Sequence, residues 1–174
     1  MLIALGVIVV LLLGIVVIAS TKPNEFRVRR TARINAPVER IVPQINDFSN
    51  WVKWSPYDSL DPDMKKTLTG APAGTGAIYE WEGNSKAGKG RMEILDSSPE
   101  HIGIQLNFEK PFRASNIAEF TLAPNGNGTD VTWSMHGARP FASKLMGVFI
   151  DMDNFVGRDF ERGLQNLKSV AEHA

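Results

Sequence analysis

The hydrophobic and polar positions divide the chain into a uniformly apolar start and a long patterned remainder. The segment from Leu2 to Ala19 contains no charged residue and consists of Leu, Ile, Val, Ala and Gly. Such a segment in a helix spans about 27 Å, close to the hydrocarbon thickness of a bilayer. We therefore expect residues 1–20 to form a single transmembrane anchor. Residues 21–24 then form a linker, in which Pro23 ends the helix.

A cleaved signal peptide is the alternative for this segment, because Val17, Ile18 and Ala19 offer small or apolar residues at a cleavage site. Retention is favoured because no Lys or Arg precedes the apolar run, which also exceeds the roughly 7–15 residues of a usual signal peptide core. Basic residues follow the run between Lys22 and Arg33, and positive flanks stay in the cytoplasm. The predicted localisation is a single-pass membrane protein with its N-terminus outside and its domain in the cytoplasm.

Beyond the linker, alternation of polar and apolar residues predicts strands. The run from Glu25 to Ile34 places Arg30 on the same side as the apolar residues. Five later runs alternate in the same way, and a weaker candidate covers Lys65 to Thr69; the five are Ala77–Glu82, Arg91–Ile94, His101–Phe108, Ile117–Leu122 and Val131–His136. The gaps between the later runs are short and rich in turn residues, so only antiparallel pairing is possible.

Apolar residues at spacings of three and four predict helices between and after these strands. One begins behind Asn35, the expected N-cap, and a second short helix or turn covers Asp47 to Tyr57. A single long helix is expected from Phe141 to Ala174. The glycines inside it indicate either close approach of the sheet or a bend; they are Gly147, Gly157 and Gly163.

These elements predict one α+β domain over residues 25–174, in which an antiparallel sheet of about seven strands buries its inner face on the C-terminal helix. The 174-residue chain has no Cys, which excludes disulfides, Cys-ligated zinc and thiol catalysis. Its 19 acidic residues balance its 19 Lys and Arg, which argues against nucleic-acid binding. The three histidines (His101, His136, His173) lack ligand spacing, so we expect no metal and no cofactor.

The order of elements and several local motifs resemble the START-like, or SRPBCC, superfamily, and within it the polyketide cyclase/dehydrase-like branch of bacterial membrane-anchored members. The resemblance spans residues 25 to 172 and is carried by these segments: Arg33-Ile34-Asn35-Ala36-Pro37, Ile45-Asn46-Asp47-Phe48, Trp51-Val52-Lys53-Trp54-Ser55-Pro56, Gly74-Thr75-Gly76-Ala77, Tyr79-Glu80-Trp81, Val131-Thr132-Trp133 and Gly157-Arg158-Asp159-Phe160-Glu161. It implies a helix-grip fold with a deep apolar cavity between curved sheet and long helix. It implies no shared catalytic motif.

The candidate ligand-binding residues are large apolar or aromatic side chains predicted to face the cavity. They are Trp51, Trp54, Tyr57, Tyr79, Trp81, Met92, Phe108, Phe120, Trp133, Met135, Phe149 and Met152, with Met146 and Phe155 as further inward candidates. Ligand pockets combine such residues with a few polar groups, and methionine adapts to several ligand shapes. The same side chains could instead fill the core.

We expect a membrane-tethered binding module for an apolar small molecule such as a lipid, isoprenoid or polyketide-like compound. One alternative is a cyclase- or dehydratase-type enzyme, for which Asp47, Tyr57, Tyr79 or His136 would supply the acid or base. Asp58, Asp61 and Asp63 lie near the aromatic segment, where one could reach the pocket. The other alternative is a ligand-free interaction domain for a membrane partner. No catalytic constellation is evident, so an enzyme is the less favoured interpretation.

Overall fold

The computed structural model describes residues 2–149 and 151–173, with side chains described except at 2–5, 8–12, 149 and 152. Its strands are β1 Glu25–Ile34, β2 Lys65–Gly70, β3 Ala77–Glu82, β4 Lys89–Ser97, β5 His101–Lys110, β6 Ala114–Asn125 and β7 Gly128–Ala138. The helices are α1 Leu2–Thr21, α2 Val38–Asn46, α3 Phe141–Phe149 and α4 Met152–His173, and a short 3₁₀ helix covers Phe48–Lys53. The α+β class and the helix after the last strand are as predicted.

The strands form one seven-stranded sheet in the order β1-β7-β6-β5-β4-β3-β2, with every neighbouring pair antiparallel. Consecutive strands from β2 to β7 are neighbours because their connections are short. The exception is β1, which returns to the far edge and pairs with β7 from Glu25 against Ala138 to Ile34 against Thr129. The weak candidate at Lys65 to Thr69 is therefore a genuine edge strand, β2.

The predicted single C-terminal helix is wrong, because α3 and α4 are separate helices. The side chain of Asp151 accepts hydrogen bonds from the backbone N–H groups of Asp153 at 3.1 Å and Asn154 at 3.2 Å. This is the arrangement of an N-cap, which starts a new helix. The expected cap at Asn35 is also wrong: α2 has Pro37 at its N-cap without a side-chain hydrogen bond, and the Asn35 N–H donates to Glu172 instead.

The predicted localisation also needs correction. Among the residues that the structure describes, no helix is long and apolar enough to cross a membrane. The prediction of a single-pass protein with a cytoplasmic domain and an outside N-terminus is thus contradicted.

Helix α4 packs on β1 and β7, and two of its glycines make that approach close. A Cβ on Gly163 would lie 2.7 Å from the Trp133 ring and 3.1 Å from Pro56. A Cβ on Gly157 would collide with the guanidinium of Arg30. Arg30 in turn pairs with Asp153 at 3.1 Å and with Glu161 at 2.7 Å, joining β1 to α4. Close approach is therefore the role of both glycines.

Candidate ligand-binding face of the sheet

The face of the sheet towards α4, called here the inner face, is the candidate site. Strand register places its residues in rows that run across the sheet. One row contains Leu68, Tyr79, Met92, Leu106, Asn116, Gly137 and Phe26. Side chains alternate between the two faces of a strand, so these seven positions all point inward. The rows pass from beneath α4 to the end of the sheet at the β5–β6 hairpin.

Beneath α4, the inner face is filled by interlocked rings. The Trp133 ring stacks on Phe160 with centroids 4.0 Å apart and planes 5° apart. On its other side Trp133 lies 5.0 Å from Phe120 and 5.6 Å from Trp54. We call the set Trp51, Trp54, Phe120, Trp133 and Phe160 the Trp133 cluster. Each of its members is at most 4% exposed, so these rings are packed against one another.

Two of the three indole N–H groups in this cluster donate a hydrogen bond, and the third has no acceptor in the described residues. Trp51 Nε1 donates to the Ile45 carbonyl at 2.8 Å, and Trp54 Nε1 donates to the Gln44 carbonyl at 2.8 Å. These bonds tie the 3₁₀ helix to the end of α2 and orient both rings. Trp133 Nε1 is buried and has no hydrogen-bond partner in the described part of the chain.

A second aromatic group lies towards the β5–β6 hairpin. Trp81 meets Phe108 edge to face at 5.8 Å and lies 6.1 Å from Tyr79. The Trp81 ring covers Gly90, where a Cβ would collide with it, and its Nε1 donates to the Ala87 carbonyl at 3.0 Å. With Met92 and Leu106, these residues form what we call the hairpin-end group. Leu106 and Phe108 remain half-buried, so this group still presents apolar surface to solvent.

A depression of about 560 Å³ opens next to this group, at the end of β5 and β6. It is lined by Asn107, Phe108, Glu109, Arg113, Ala114 and Ser115. Phe108 and Ala114 are paired across the two strands and belong to the inner face. A second depression, of about 330 Å³, lies at the β2 edge and includes Asp47, Phe48, Ser49, Leu68 and Ala77 in its lining.

The inner face has two polar features. The first is an ionic cluster in which Lys66, which was not predicted as a site residue, pairs with Asp58, and the Tyr79 hydroxyl donates to the same carboxylate at 3.4 Å. The Asp58 side chain is only 8% exposed. Burial, and then the negative charge of Asp58, raise the pKa of Tyr79, so this phenol stays protonated.

The second feature is Asn116, which is 6% exposed in an otherwise apolar part of the inner face. Its position in β6 has the same parity as Ala118, Phe120 and Leu122. That parity was the one signal in the sequence that could have identified it, since a single Asn at the start of an alternating run otherwise resembles a turn residue.

The predicted site residues thus fall into separate places. Trp51, Trp54, Phe120 and Trp133 are in the Trp133 cluster, with Tyr57 edge-on to Trp133 at 6.3 Å. Tyr79, Trp81, Met92 and Phe108 are in the hairpin-end group, and Met135 is buried on β7 between the two. The side chains of Phe149 and Met152 lie outside the described residues. Among the predicted residues, Phe108 contributes to the larger depression.

Of the enzymatic candidates, Asp47 caps the 3₁₀ helix by accepting from Ser49, and His136 lies on the outer face with its Nδ1 3.5 Å from Glu119. His101, also on the outer face, pairs with Asp96 at 2.6 Å. In the described residues, no three or more His, Asp or Glu side chains are grouped so that they could hold a metal ion.

A curved antiparallel sheet that wraps a C-terminal helix, with two short helices between its first and second strands, defines the helix-grip class of the START-like superfamily. The sequence matches the family described as polyketide cyclase/dehydrase and lipid transport over residues 25–172. The chain therefore belongs to this family. Among curated proteins, none matches the sequence.

Solved structures agree on the fold. A protein from Chromobacterium violaceum is 21% identical, with a TM-score of 0.59, over 87% of this chain and 99% of that one. The Aha1 dimer from Colwellia psychrerythraea is 16% identical, with a TM-score of 0.56, over 84% of this chain and 96% of that one. DynU16, from the dynemicin biosynthetic locus, is 16% identical, with a TM-score of 0.58, over 87% of this chain and 48% of that one. At these identities the likeness concerns the fold alone.

Proposed function

We propose that this protein binds an apolar small molecule against the hairpin-end group of the inner face. The observation that carries the proposal is the half-buried apolar surface of Leu106 and Phe108 beside a depression of about 560 Å³. Ligand sites are concave, mostly apolar and supplied with few polar groups. The family description, which includes both cyclases and lipid transport, is consistent with such a ligand.

The position of the site follows from how the inner face is covered. The rings of the Trp133 cluster contact one another, and Phe160 among them belongs to α4, so their surfaces are already covered by protein. At the hairpin end Trp81, Tyr79 and Met92 are buried as well, and the accessible apolar surface belongs to Leu106 and Phe108. Burying apolar surface contributes about 25 cal/mol per Å², so a ligand that covers this surface gains binding energy from it.

Two alanine substitutions on the same strand test the proposal. Ala114→Phe adds a ring on the inner face, inside the depression, whereas Ala123→Phe adds the same ring on the outer face of β6, away from the depression. Both residues are exposed, so neither change needs core rearrangement. Binding to the full chain is measured with 1-anilinonaphthalene-8-sulfonate and with fluorenone. We expect Ala114→Phe to weaken binding at least tenfold and Ala123→Phe to leave it within about twofold.

Equal binding by the parent chain and both variants would place the ligand elsewhere and reject this site. If the parent chain binds neither probe, and a wider panel of lipids and polyketides also fails, the binding proposal itself is rejected.

A cyclase- or dehydratase-type reaction is the second candidate, and the buried Tyr79 favours it. A phenol kept neutral by burial can donate a hydrogen bond to an oxyanion that develops on a substrate carbonyl. Asp58, which pairs with Lys66, also contacts the Tyr79 hydroxyl and orients it. Incubation with a linear tetraketide, followed by mass spectrometry for loss of water, tests this function. Tyr79→Phe should abolish turnover while leaving binding of fluorenone within about twofold; turnover that survives in this variant rejects the role of Tyr79.

A further inference from the structure

From the placement of Asn116, we infer that the ligand carries a carbonyl or hydroxyl group and that the Asn116 carboxamide recognises it. This inference rests on the proposed function, because it assigns a polar contact within the same face. The inner face at this point is otherwise apolar, so one polar side chain there is able to set both the orientation of a ligand and its chemical class.

The carboxamide of Asn116 makes no hydrogen bond in the described part of the chain. The nearby hydrogen bond from Gln105 reaches the Asn116 backbone carbonyl, at 3.0 Å, and leaves the side chain without a partner. Its Nδ2 and Oδ1 are not among the fully buried side-chain atoms that lack a partner in the described residues, so both atoms reach the surface of the inner face. There they are free to pair with a polar group of a ligand.

The strand neighbours of Asn116 on the inner face offer its carboxamide no hydrogen-bonding partner. Across the strands it faces Leu106 on β5 and Gly137 on β7. Along its own strand the inner-face neighbours are Ala114 and Ala118. None of these side chains can donate or accept a hydrogen bond, and three of the four are Ala or Gly.

Gly137 is the residue that permits this arrangement. The Asn116 side chain lies over the Gly137 backbone, where any Cβ would collide with the Asn116 Oδ1. Small residues surround this amide, and one of them, Ala114, also lines the depression. A ring system with one oxygen substituent, bound in the depression, would bring that oxygen towards the unpaired carboxamide.

The test compares two probes and an isosteric variant. Fluorenone and fluorene share one ring skeleton and differ by a carbonyl group. Asn116→Leu keeps the shape of the side chain and removes its hydrogen-bonding groups. We expect this variant to bind fluorenone about tenfold more weakly than the parent chain does, with fluorene binding changed by less than twofold. Thermal stability should stay about the same, because the carboxamide that is removed makes no hydrogen bond in the described part of the chain.

Thr121→Val is the matched control, since it removes a polar group isosterically from the exposed outer face of the same strand. It should change neither probe. If Asn116→Leu is less stable than the parent chain, Asn116→Ala removes the same carboxamide without added volume. A loss of stability in both variants would mean that the amide holds the fold together, and it overturns the inference.

The remaining outcomes separate the two proposals. If both probes bind the parent chain and Asn116→Leu changes them equally or not at all, the polar recognition is refuted while apolar binding stands. If neither probe binds the parent chain, the proposed site fails and the inference fails with it.

Discussion

The Trp133 cluster and the hairpin-end group contain the same kinds of residue on the same face of one sheet, but they differ in how completely they are covered by other elements. Trp133 is pressed between Phe120 and Phe160 and is 3% exposed. Phe108, one end of the edge-to-face pair with Trp81, remains half-buried. The difference comes from the covering element: α4 packs on β1 and β7.

This comparison teaches that an inward-facing aromatic residue is not by itself evidence of a cavity. Alternation along a strand identifies the face, but the partner on the other side decides whether a ring becomes core or binding surface. Substitutions in both regions therefore test whether the Trp133 cluster is packed core and the hairpin-end group is accessible.

The largest effect should come from truncating one ring in each region. Trp133→Ala should lower the free energy of unfolding by about 3–5 kcal/mol, as expected for a large ring removed from a packed core. Phe108→Ala should lower it by about 1–2 kcal/mol, because Phe108 has already kept part of its surface in water. Urea unfolding of both variants measures the difference. Equal losses would show that the two regions are packed alike.

Glycine substitutions test the close approach of α4. Gly163→Ala should destabilise the protein by about 1–3 kcal/mol, because the new methyl group would meet the Trp133 ring and Pro56. Gly147→Ala, also within a helix, is the control: among the described side chains its Cβ would have Lys22 alone within 4.0 Å, so we expect a gain of up to about 1 kcal/mol. Thermal denaturation of the two variants provides the measurement. A tolerated alanine at position 163 contradicts the tight packing.

The two tyrosines of the chain, Tyr57 beside the Trp133 cluster and Tyr79 in the hairpin-end group, allow a pH test. Burial is the main cause that raises the pKa of both hydroxyls above the ordinary value of 10. The folded state therefore holds these protons more firmly than the unfolded chain does, so stability is full below pH 10 and falls as the pH rises above it.

Absorbance at 295 nm follows tyrosinate formation directly. We expect little ionisation in the native protein at pH 10.5, followed by ionisation together with unfolding at higher pH. Tyr79→Phe leaves Tyr57 as the one reporter. A native tyrosine that titrates normally near pH 10 is accessible to water, and assignment of that signal identifies the region that is more open.

The smallest effect is expected at Arg30, which joins β1 to α4 through Asp153 and Glu161. These hydrogen bonds raise the pKa of the Arg30 guanidinium, so it stays charged. Both carboxylates are more than half exposed, so Arg30→Met should cost about 1 kcal/mol or less, and the cost should shrink in high salt. Arg113→Met, in the hairpin depression, is the control. A loss above 3 kcal/mol would make Arg30 a principal support of the covered region.

Much of the fold was predictable because alternation and short gaps leave few arrangements. The run from Glu25 to Ile34 already placed Arg30 on the inner side, where the structure has it. The break before α4 was not predicted, because helical periodicity continues across it while a local cap at Asp151 decides where the helix starts. The apolar run correctly predicted the helix α1, but the membrane span assigned to it was wrong, since no helix among the described residues is long and apolar enough to cross a membrane.

The candidate site was predictable only as a set of residue types. Trp81 and Trp133 have the same pattern in sequence and are both buried, but Trp81 packs over Gly90 whereas Trp133 packs under α4. Asp58 lies in the segment before β2 and meets Lys66 on β2 and Tyr79 on β3, contacts that periodicity does not predict. The alternation along β6 placed Asn116 on the inner face, but its importance became clear only when its neighbours were seen to be apolar.

The position of β1 also affects how the protein is made on the ribosome. Its partner β7 lies about a hundred residues later in the chain, so at 5–20 residues per second β1 waits roughly 5–20 s without its neighbour. During that interval its backbone is an open template for wrong pairing with other nascent chains. Arg27, Arg29 and Arg33 alternate along one side of this strand, and their like charges would repel a second copy laid against it. These arginines thus protect β1 from wrong pairing until β7 and α4 have been synthesised.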